Sequence, residues 1–499
     1  MRLNRFGSRY GWVGVALAAV LVFVAAAPAT ASTRARGADR HSGAGRGHGH
    51  GHHGHDRPPV VRAALPPGAI KHIMVVELEN ESAETTFGPD SPATYLNGTL
   101  LKQGELLRHY YATGHASLDN YIAQISGQAP SEETSADCLG PATDPETLIG
   151  SYTDLLPGNL DPDQQRYPGQ VDGHGCIYPA SVQTIADQLD ALYPPDRHSH
   201  EAAWRAYAED MGNQVSGREI GTPDPQGGLD CAHPPLNGVD NTNAASPATA
   251  TEPADQYATR HNGFMYFHSI IDNSRECDAN VVPLGEAQIG KPSRLDGMRL
   301  DDTFSGHLAD DLAHQSTTPR FGWITPNLCN DGHDSTCAGP NTIGETGAGA
   351  GGLHGVDQFL AHWMPLLMAS PAYRSGQMLV VVTFDESESG DASACCGETP
   401  GPNNPTPGFS PLLTSIYEQF GLPIPDPAPG GGEVGAVLLN PRYIEPGSVD
   451  DTGYYNHYSA LRSFEDLLGI HDGGVDGLGH LGFAAAPGLA PFGRDVFNR

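Results

Sequence analysis

Four short hydrophobic runs in the chain, each followed by polar residues, indicate where buried strands end. The first three are continuous and rich in β-branched residues, a pattern typical of strands buried in a parallel sheet. The carboxyl ends of such strands open onto one crevice, where ligands bind. We therefore expect the polar residues after these runs to converge at one edge of the sheet. The runs cover residues 73–78, 321–326, 378–384 and 434–439.

Segments with helical spacing lie between these runs, most regularly in the last third of the chain. Alternating strands and helices predict an α/β fold of three α/β/α layers, with helices on both faces of a central, mostly parallel sheet. Shorter strands are expected over residues 106–111 and 203–208. The predicted helices cover residues 92–103, 117–126, 182–192, 300–314, 356–368 and 459–468.

The first part of the chain has the composition of a targeting segment followed by a linker. Residues 1–31 combine a basic start, an apolar run and a small-residue cleavage site near Ala31, which predicts a signal peptide; a membrane anchor is the alternative. Residues 32–68 are rich in Gly, Pro, Arg and His and predict a disordered linker, whose histidines at 48–55 could bind transition metals. We expect one domain over residues 69–499, with an irregular insertion over about 128–260.

Charge and cysteine content narrow the class of protein further. The formal net charge of −32 argues against nucleic-acid binding, because no basic surface would neutralise the phosphates. All eight cysteines follow the predicted cleavage site, and an even number of cysteines in an exported chain indicates disulfides. Cys329 and Cys337 are the expected local pair, whereas the partners of the adjacent Cys395 and Cys396 stay open. We expect a secreted, soluble protein without a stable membrane anchor.

Ser117 is the candidate nucleophile. It stands where the chain turns from Gly114 into a predicted helix, and a helix N-terminus offers free N–H groups and a partial positive charge. Such a position favours a bound phosphate and a serine alkoxide, provided that a base or a metal activates the hydroxyl. The alternative is that Ser117 simply caps the helix. The motif Gly-x-Ser-x-Gly is absent, which disfavours an α/β-hydrolase.

Three pairs of polar residues near the predicted strand ends have the chemistry of metal ligands. Asp385-Glu386 follow the most apolar strand, where neighbouring carboxylates are costly to desolvate unless cations neutralise them. Asp331 and His333 provide an oxygen and an imidazole in one loop, and Glu79-Asn80 provide a carboxylate and an amide. We expect a divalent ion, whether zinc, calcium, manganese or iron. Solvated strand ends without an ion are the alternative.

Several motifs, taken in order, resemble those of the bacterial phosphoesterase family, which holds secreted acid phosphatases and phospholipases C and belongs to the alkaline phosphatase superfamily. The resemblance extends over about residues 71–470, and the order of the motifs makes it more specific than any single one. Glu81, Ala116 and Asp119 depart from the residues common in that family. The matching segments are 72–88, 115–121, 260–262, 325–333, 383–386 and 457–465.

The resemblance implies roles for these positions. Ser117 would attack phosphorus and form a covalent phosphoserine, and His333 or His261 would protonate the leaving group. The residues that would face the phosphate are Asn120, His261 and His115. The implied metal ligands are Glu79, Asn80, Asp385 and Glu386 for one ion, and Asp331, His333 and His457 for a second.

The resulting hypothesis is a secreted, metal-dependent phosphatase that hydrolyses phosphate monoesters through a phosphoserine at Ser117. A monoester dianion carries more charge on its non-bridging oxygens than a diester, so it gains more from a metal and a helix N-terminus. The substrate would be a phosphate ester, with phosphoinositide or other phospholipid head groups among the candidates. One alternative is a phospholipase C-type phosphodiesterase. The other is a non-catalytic extracellular metal-binding protein built around the histidine-rich segment.

Overall fold

The computed structural model describes most of the chain from Arg62 onward. The predicted signal peptide and residues 32–61 of the predicted linker, with the histidine tract, lie outside the described residues. None of the helices in the described part combines the length and the apolarity that a membrane span requires. The described residues are 62–138, 152–157, 167–194, 202–212, 218–238, 240, 242, 244–250, 254–288, 290–291, 293–295, 298–300, 302–334, 337, 351–388, 390–397, 400–404, 406–409 and 428–499.

One large sheet, accompanied by two-stranded ribbons, forms the framework of the domain. In chain order the strands are β1 His72–Leu78, β2 Glu105–Leu107, β3 Tyr110–Tyr111, β4 Leu156–Pro157, β5 Gly173–His174, β6 Trp204–Ala208, β7 Ile220–Pro223, β8 Leu229–His233, β9 Val281–Pro283, β10 Glu286–Gln288, β11 Ser293–Leu295, β12 Met298–Leu300, β13 Thr303–Ser305, β14 Phe321–Thr325, β15 Met378–Phe384, β16 Ala436–Leu439, β17 Ser448–Asp450 and β18 Tyr455–Asn456. The large sheet has eight strands in the order β17-β2-β16-β15-β1-β14-β6-β9.

The large sheet is mostly parallel, as the sequence predicts. Only β16 runs opposite to its neighbours β15 and β2, whereas the other pairs in the sheet are parallel. The fourth hydrophobic run of the sequence is β16, so its carboxyl end lies at the other edge from those of the first three. Asn440, which follows β16, donates to the carbonyl of Met378 at 2.8 Å, where β15 begins.

Both faces of the sheet are covered, because every residue of β1 and β15 is buried. Phe321 and Trp323 of β14 pack on one face against Phe464 and Tyr121. Phe464 belongs to helix α9 (His457–Leu468) and Tyr121 to helix α2 (Ser117–Ser126), which also contacts α3 (Ile185–Leu192). Helix α7 (Gly352–Ala369) contacts α6 (His307–Leu312) and α8 (Pro371–Arg374). The fold is the predicted three-layer α/β arrangement. The helices are α1 Ala83–Phe87, α2 Ser117–Ser126, α3 Ile185–Leu192, α4 His268–Ile271, α5 Ser274–Asn280, α6 His307–Leu312, α7 Gly352–Ala369, α8 Pro371–Arg374 and α9 His457–Leu468.

Three predicted helices are shorter in the structure than the sequence predicts. The segment 300–314 contains strand β13, paired with β10, and becomes helical only at α6 after Gly306, whose φ is 99°. Residues 92–103 contain a single π-helical turn, Leu96–Leu100. Helix α3 begins at Ile185 rather than at residue 182, because Thr184 and Asp187 form a capping box there. Helix α2, in contrast, has the predicted bounds.

The folded domain begins before residue 69, the start that the sequence predicts. The side chain of Arg62 donates to Asp466 at 2.6 Å, and the backbone N–H of Ala63 donates to the same carboxylate at 2.8 Å. These contacts involve one charged side chain and one backbone N–H, and the pattern of apolar residues does not reveal such contacts. The irregular insertion over 128–260 also contributes β6, which lies between β14 and β9 in the large sheet.

Four disulfides connect the eight cysteines, and none of them is free. The expected local pair is present, and the adjacent Cys395 and Cys396 are joined to each other. The pairs are Cys138–Cys176, Cys231–Cys277, Cys329–Cys337 and Cys395–Cys396. The second pair connects β8 to α5, and the third closes the loop that carries Asp331.

We predict that unreduced peptides of the protein contain these four bridges. A bridge that closes a longer loop restricts the unfolded chain more, so Cys138–Cys176 and Cys231–Cys277, with separations of 38 and 46 residues, should stabilise the fold more than the other two. Mass spectrometry of a digest prepared without reductant measures the pairing directly. Recovery of eight free thiols would contradict both the bridges and the oxidising compartment that the sequence predicts.

Candidate active site

Three strand ends meet at one edge of the sheet and are joined there by backbone hydrogen bonds. The N–H of Glu79, just after β1, donates to the carbonyl of Asp331 at 2.8 Å. The N–H of Asp385, just after β15, donates to the carbonyl of Leu78, also at 2.8 Å. The second bond continues the pairing of β1 with β15 past the ends of both strands, and the first connects the end of β1 to the loop that follows β14. The three carboxylates are therefore held close together by the sheet itself.

Ser117 is the first residue of α2, and its hydroxyl does not cap the helix. Its Oγ donates instead to Glu79 Oε2 at 2.8 Å, and the side chain is buried. The residue before it, Ala116, has φ 121°, a region that L-residues rarely adopt. Strained backbone of this kind is concentrated at functional sites, where the surrounding structure maintains it. The capping alternative for Ser117 is therefore wrong.

Asn120 holds the turn in front of Ser117 rather than facing outward. Its Oδ1 accepts hydrogen bonds from the backbone N–H groups of Thr113 (2.9 Å) and Gly114 (3.2 Å). Its Nδ2 donates to the carbonyls of Gly114 (2.8 Å) and Ala116 (3.1 Å). Gly114 is required because a Cβ there would lie 2.6 Å from the carboxylate of Asp119. In this structure Asn120 determines the shape of the turn, which differs from the phosphate-facing role that the resemblance implies.

A compact group of possible metal ligands lies next to Ser117. Glu79, His261 and Asp331 are all buried, and each offers one ligand atom within 4.8 Å of the others. His261 Nδ1 is 3.4 Å from Glu79 Oε1 and 3.2 Å from Asp331 Oδ2. The second oxygen of Asp331 accepts from the N–H of His333 at 2.8 Å, which fixes the orientation of the carboxylate. We refer to these three residues as the Glu79 cluster.

Asn80 and Asp385 border the Glu79 cluster. Asn80 has φ 50°, and its backbone N–H donates to Asp385 Oδ1 at 3.0 Å. With its nitrogen toward the carboxylates, the amide of Asn80 also donates to Glu79 Oε2 at 2.9 Å and to Asp385 Oδ1 at 3.2 Å. Two buried atoms, His261 Nε2 in the cluster and Asp385 Oδ2 beside it, have no hydrogen-bond partner among the described residues. Unpaired buried polar atoms of this type fit a site made for a cation.

The electrostatics of the site also favour a cation. Burial raises the pKa of Glu79 well above its ordinary value, and Asp385 raises it further. Burial, and then Glu79, raises the pKa of Asp331, while burial and Glu386 raise that of Asp385. Burial and the charge of Arg260 lower the pKa of His261. A divalent cation offsets each of these costs, because it stabilises carboxylates and binds a neutral imidazole.

Glu386 and His115 pair with each other instead of lining the cluster. His115 Nδ1 bonds Glu386 Oε2, and its Nε2 bonds the carbonyl of Asp391 at 2.8 Å. The same oxygen of Glu386 accepts from the N–H of Ala116 at 3.2 Å. Both residues thus support the strained turn before Ser117. The geometry differs from the predicted roles of His115 as a phosphate-facing group and of Glu386 as a metal ligand, because both nitrogens of His115 and Oε2 of Glu386 are already engaged.

His457 supports the site from behind. Its Nε2 donates to the carbonyl of Asp385 at 2.7 Å, and its Nδ1 is 3.2 Å from the hydroxyl of Tyr110. Burial lowers its pKa to about 4. Both ring nitrogens therefore have partners in the fold, and the structure gives His457 a positioning role at Asp385 rather than the predicted place among metal ligands.

His333 lies at the opening of the site. Its side chain is 24% exposed, and its Nδ1 is 2.8 Å from Asp334 Oδ1. Its Nε2 lies 3.4 Å from Arg260 Nη2, and its ring is 5.5 Å from that of His261 between centroids. His333 is outside the Glu79 cluster, so the second predicted ion, assigned to Asp331, His333 and His457, has no compact ligand set among the described residues.

Two residues near the cluster were quoted in the sequence motifs without a role. Tyr121 donates to Glu79 Oε1 at 2.6 Å, and its ring stacks on that of His261. Arg260 is a buried cation beside His333. The position of Tyr121 could have been inferred from its spacing, because residues i and i+4 lie on the same face of a helix and Tyr121 is four residues after Ser117.

The comparisons with known sequences find acid phosphatases. The chain is 23% identical over 413 residues to a probable acid phosphatase of Kluyveromyces lactis, covering 81% of this chain and 61% of that protein. It is 26% identical over 371 residues to a phosphate-repressible acid phosphatase of Penicillium chrysogenum, covering 74% of this chain and 53% of that protein. The chain thus spans about half to three fifths of the length of these relatives. These matches confirm the resemblance to acid phosphatases that the motifs indicate. No model of a known protein family matches the chain.

Solved structures that resemble the fold are more distant. One is a protein in the alkaline phosphatase superfamily from Vibrio parahaemolyticus, with a TM-score of 0.37 and 12% identity, covering 82% of this chain and 69% of that chain. Another is the lipoteichoic acid synthase LtaP from Listeria monocytogenes, with a TM-score of 0.33 and 10% identity, covering 86% of this chain and 77% of that chain. At these scores neither structure informs us about the activity.

Proposed function

We propose that this protein is a metal-dependent phosphatase that hydrolyses phosphate monoesters through a phosphoserine at Ser117. The observation that supports this most directly is the contact of 2.8 Å between Ser117 Oγ and Glu79 Oε2 at the start of α2. It brings a nucleophile, a helix N-terminus and a buried carboxylate cluster to one point. The acid phosphatases similar to this chain add independent support from sequence.

Ser117 forms the covalent bond in the proposed reaction. Glu79 Oε2 orients the hydroxyl and accepts its hydrogen bond, so that an oxygen lone pair faces the substrate. The Oγ–P bond forms as the bond from phosphorus to the leaving oxygen breaks, and the hydroxyl proton passes to Glu79 Oε2. Water later cleaves the phosphoserine, which releases inorganic phosphate and restores the serine hydroxyl. The start of α2, where the N–H of Leu118 donates to Asp137 Oδ1 at 3.0 Å, contributes partial positive charge that stabilises the non-bridging oxygens.

The Glu79 cluster, together with Asp385 and the amide of Asn80, would hold a divalent ion. Two carboxylates and an imidazole suit zinc, manganese or iron, whereas calcium prefers oxygen ligands only. When bound, such an ion supplies charge that lowers the pKa of a nearby hydroxyl and stabilises phosphoryl oxygens. Tyr121 and His457 keep Glu79 and the Asp385 segment in the geometry that binding requires.

His333 is the better candidate for the acid that protonates the leaving oxygen. Its ring reaches the opening of the site, and the carboxylate of Asp334, 2.8 Å from Nδ1, orients it. His261 is fully enclosed and directs Nδ1 at two carboxylates, which suits a metal ligand. We therefore assign the two histidines, both predicted as catalytic, to different tasks.

Export of the protein is part of the proposal. The basic and apolar start of the sequence supports it, as do the disulfides among the described residues. Extracellular phosphate esters, phospholipid head groups included, are then the accessible substrates.

We predict that the protein prefers monoesters to diesters. The test compares kcat/KM for p-nitrophenyl phosphate and bis(p-nitrophenyl) phosphate in one buffer with one added metal, because both substrates release the same alcohol. We expect the monoester to be favoured by at least about tenfold, since its dianion gains more from a cation and a helix N-terminus. A preference for the diester would replace the phosphatase assignment with that of a phospholipase C-type phosphodiesterase.

A further inference from the structure

A second group of possible metal ligands lies away from the Glu79 cluster and shares no residue with it. It consists of Asp224, directly after β7, Asp230 in β8, and His307, the first residue of α6. Each offers one ligand atom within 4.8 Å of the others. Ligand atoms around one tetrahedral ion lie about 3–4 Å apart, so small side-chain movements suffice. We call these three residues the Asp230 cluster.

Two carboxyl groups lie close together in this cluster, beside one imidazole. Asp224 and Asp230 each offer an oxygen within 4.8 Å of the other, and His307 Nε2 lies 2.5 Å from Asp224 Oδ2. In the described part of the chain no lysine or arginine forms an ion pair with either aspartate; Arg205 pairs with Asp311 instead, at 2.5 Å. Facing carboxylates repel each other unless a proton or a cation lies between them.

Asp230 carries an independent sign of an intended ligand. The residue is only 8% exposed, and its Oδ1 is buried without a hydrogen-bond partner among the described residues. A buried carboxylate oxygen without a partner destabilises the fold, so its presence calls for an explanation. A cation in the cluster would satisfy this oxygen.

The cluster is built on a rigid framework that is open on one side. A Cβ on Gly306 would lie 2.3 Å from the Cα of Gly285, so the start of α6 is fixed by close backbone packing. Asp230 is followed by Cys231, whose disulfide to Cys277 anchors β8. A cavity of about 530 Å³ adjoins the cluster and gives solvent access; it is lined by His307, Gln226, Gly228, Glu286 and Asp210, among others.

We propose that Asp224, Asp230 and His307 bind a second divalent ion, zinc or manganese, that cross-links the β7–β8 hairpin to α6. One imidazole with two carboxylates is a ligand set for these metals, whereas calcium and magnesium avoid nitrogen. The role of the ion is structural, because no residue of the cluster contacts the candidate nucleophile. The site is independent of the proposed phosphatase activity.

The test compares Asp230→Asn with Asp278→Asn as a matched control. Asp278 is a neighbouring carboxylate whose Oδ2 accepts from Thr222 at 2.8 Å, and it is not a member of the cluster. Both variants are made in a full-length chain whose histidines at 48–55 are changed to alanine, so that the leader does not bind the added metal. Each protein is dialysed against zinc or manganese, and bound metal per chain is measured by elemental analysis.

We expect Asp230→Asn to lose one metal ion per chain relative to the parent, and Asp278→Asn to keep it. Zinc or manganese should raise Tm of the parent and of Asp278→Asn by about 2–4 °C more than that of Asp230→Asn, and calcium should not reproduce the difference. If Asp230→Asn does not fold, His307→Gln replaces it, since His307 is partly exposed and its change is milder. Equal metal content and equal thermal shifts in the cluster variant and its control would overturn the proposal.

Discussion

Replacing Ser117 by alanine is expected to lower kcat for p-nitrophenyl phosphate by at least about 1000-fold, or about 4 kcal/mol of transition-state stabilisation. The reason is that the substitution removes the only atom proposed to bond to phosphorus, Ser117 Oγ. The fold should remain intact, because the hydroxyl makes no cap bond at the start of α2. Steady-state kinetics, with Tm measured on the same preparation, tests both parts of this expectation.

Ser126→Ala is the matched control for this experiment. Ser126 ends the same helix, is buried like Ser117, and donates to the carbonyl of Ile122 at 2.6 Å. Both variants lose one buried hydroxyl, but only Ser117→Ala should lose turnover and the phosphoserine peptide that acid quenching traps in the parent. A Ser117→Ala enzyme that retains more than about a tenth of the parent kcat, a loss of only about 1.4 kcal/mol, would contradict covalent catalysis by Ser117.

The framework of the fold was predictable because it depends on local patterns. β1, β14 and β15 are mostly apolar, so their burial and parallel pairing follow from composition and length. Helix α2 has the bounds expected from its N-terminal turn and from Gly127, whose φ of 69° ends it. The prediction of a helix over residues 300–314 was wrong because the apolar spacing of this segment suits both a helix and the edge pairing of β13 with β10. Only a tertiary partner decides between them.

The candidate site was predictable in its location but not in the task of each residue. Strand-end position brings Glu79, Asp331 and Asp385 together, and that position can be read from the chain. Whether a side chain faces inward depends on which backbone groups need partners. Asn120 and His115 are used for the turn before Ser117, where Ala116 has φ 121° and leaves N–H and carbonyl groups to be satisfied. No sequence pattern predicts that the backbone groups of this turn will need side-chain partners.

The place of His261 in the Glu79 cluster could not be predicted either, because it depends on contacts between residues far apart in sequence. Its contacts with Glu79 and Asp331 join residues far apart in sequence, through a 3₁₀ turn, Thr259–His261, that packs on α2. The resemblance assigned this histidine to the phosphate, since a motif gives order along the chain but not the direction of a side chain.

Glu79→Gln should abolish metal binding at the active site and lower kcat/KM by at least about 100-fold, or about 2.7 kcal/mol. The variant keeps the shape of the side chain but replaces a charged oxygen of the Glu79 cluster by an amide, whose nitrogen cannot bind a cation. Chelator treatment of the parent, followed by addition of metal, should remove and then restore activity. Bound metal is measured by elemental analysis on the same samples that are assayed.

Glu77→Gln is the control that separates loss of a ligand from loss of a buried carboxyl. Glu77 precedes Glu79 by two residues, lies in β1 just before Glu79, is fully buried, and accepts from Gln124 at 2.6 Å. Burial raises the pKa of Glu77 well above its ordinary value, and Glu79 raises it further, which favours the protonated carboxyl that an amide resembles. We expect Glu77→Gln to keep its active-site metal and most of its activity. Full activity of the parent in a preparation shown to be free of metal would exclude the proposed metal dependence, whatever the two variants do.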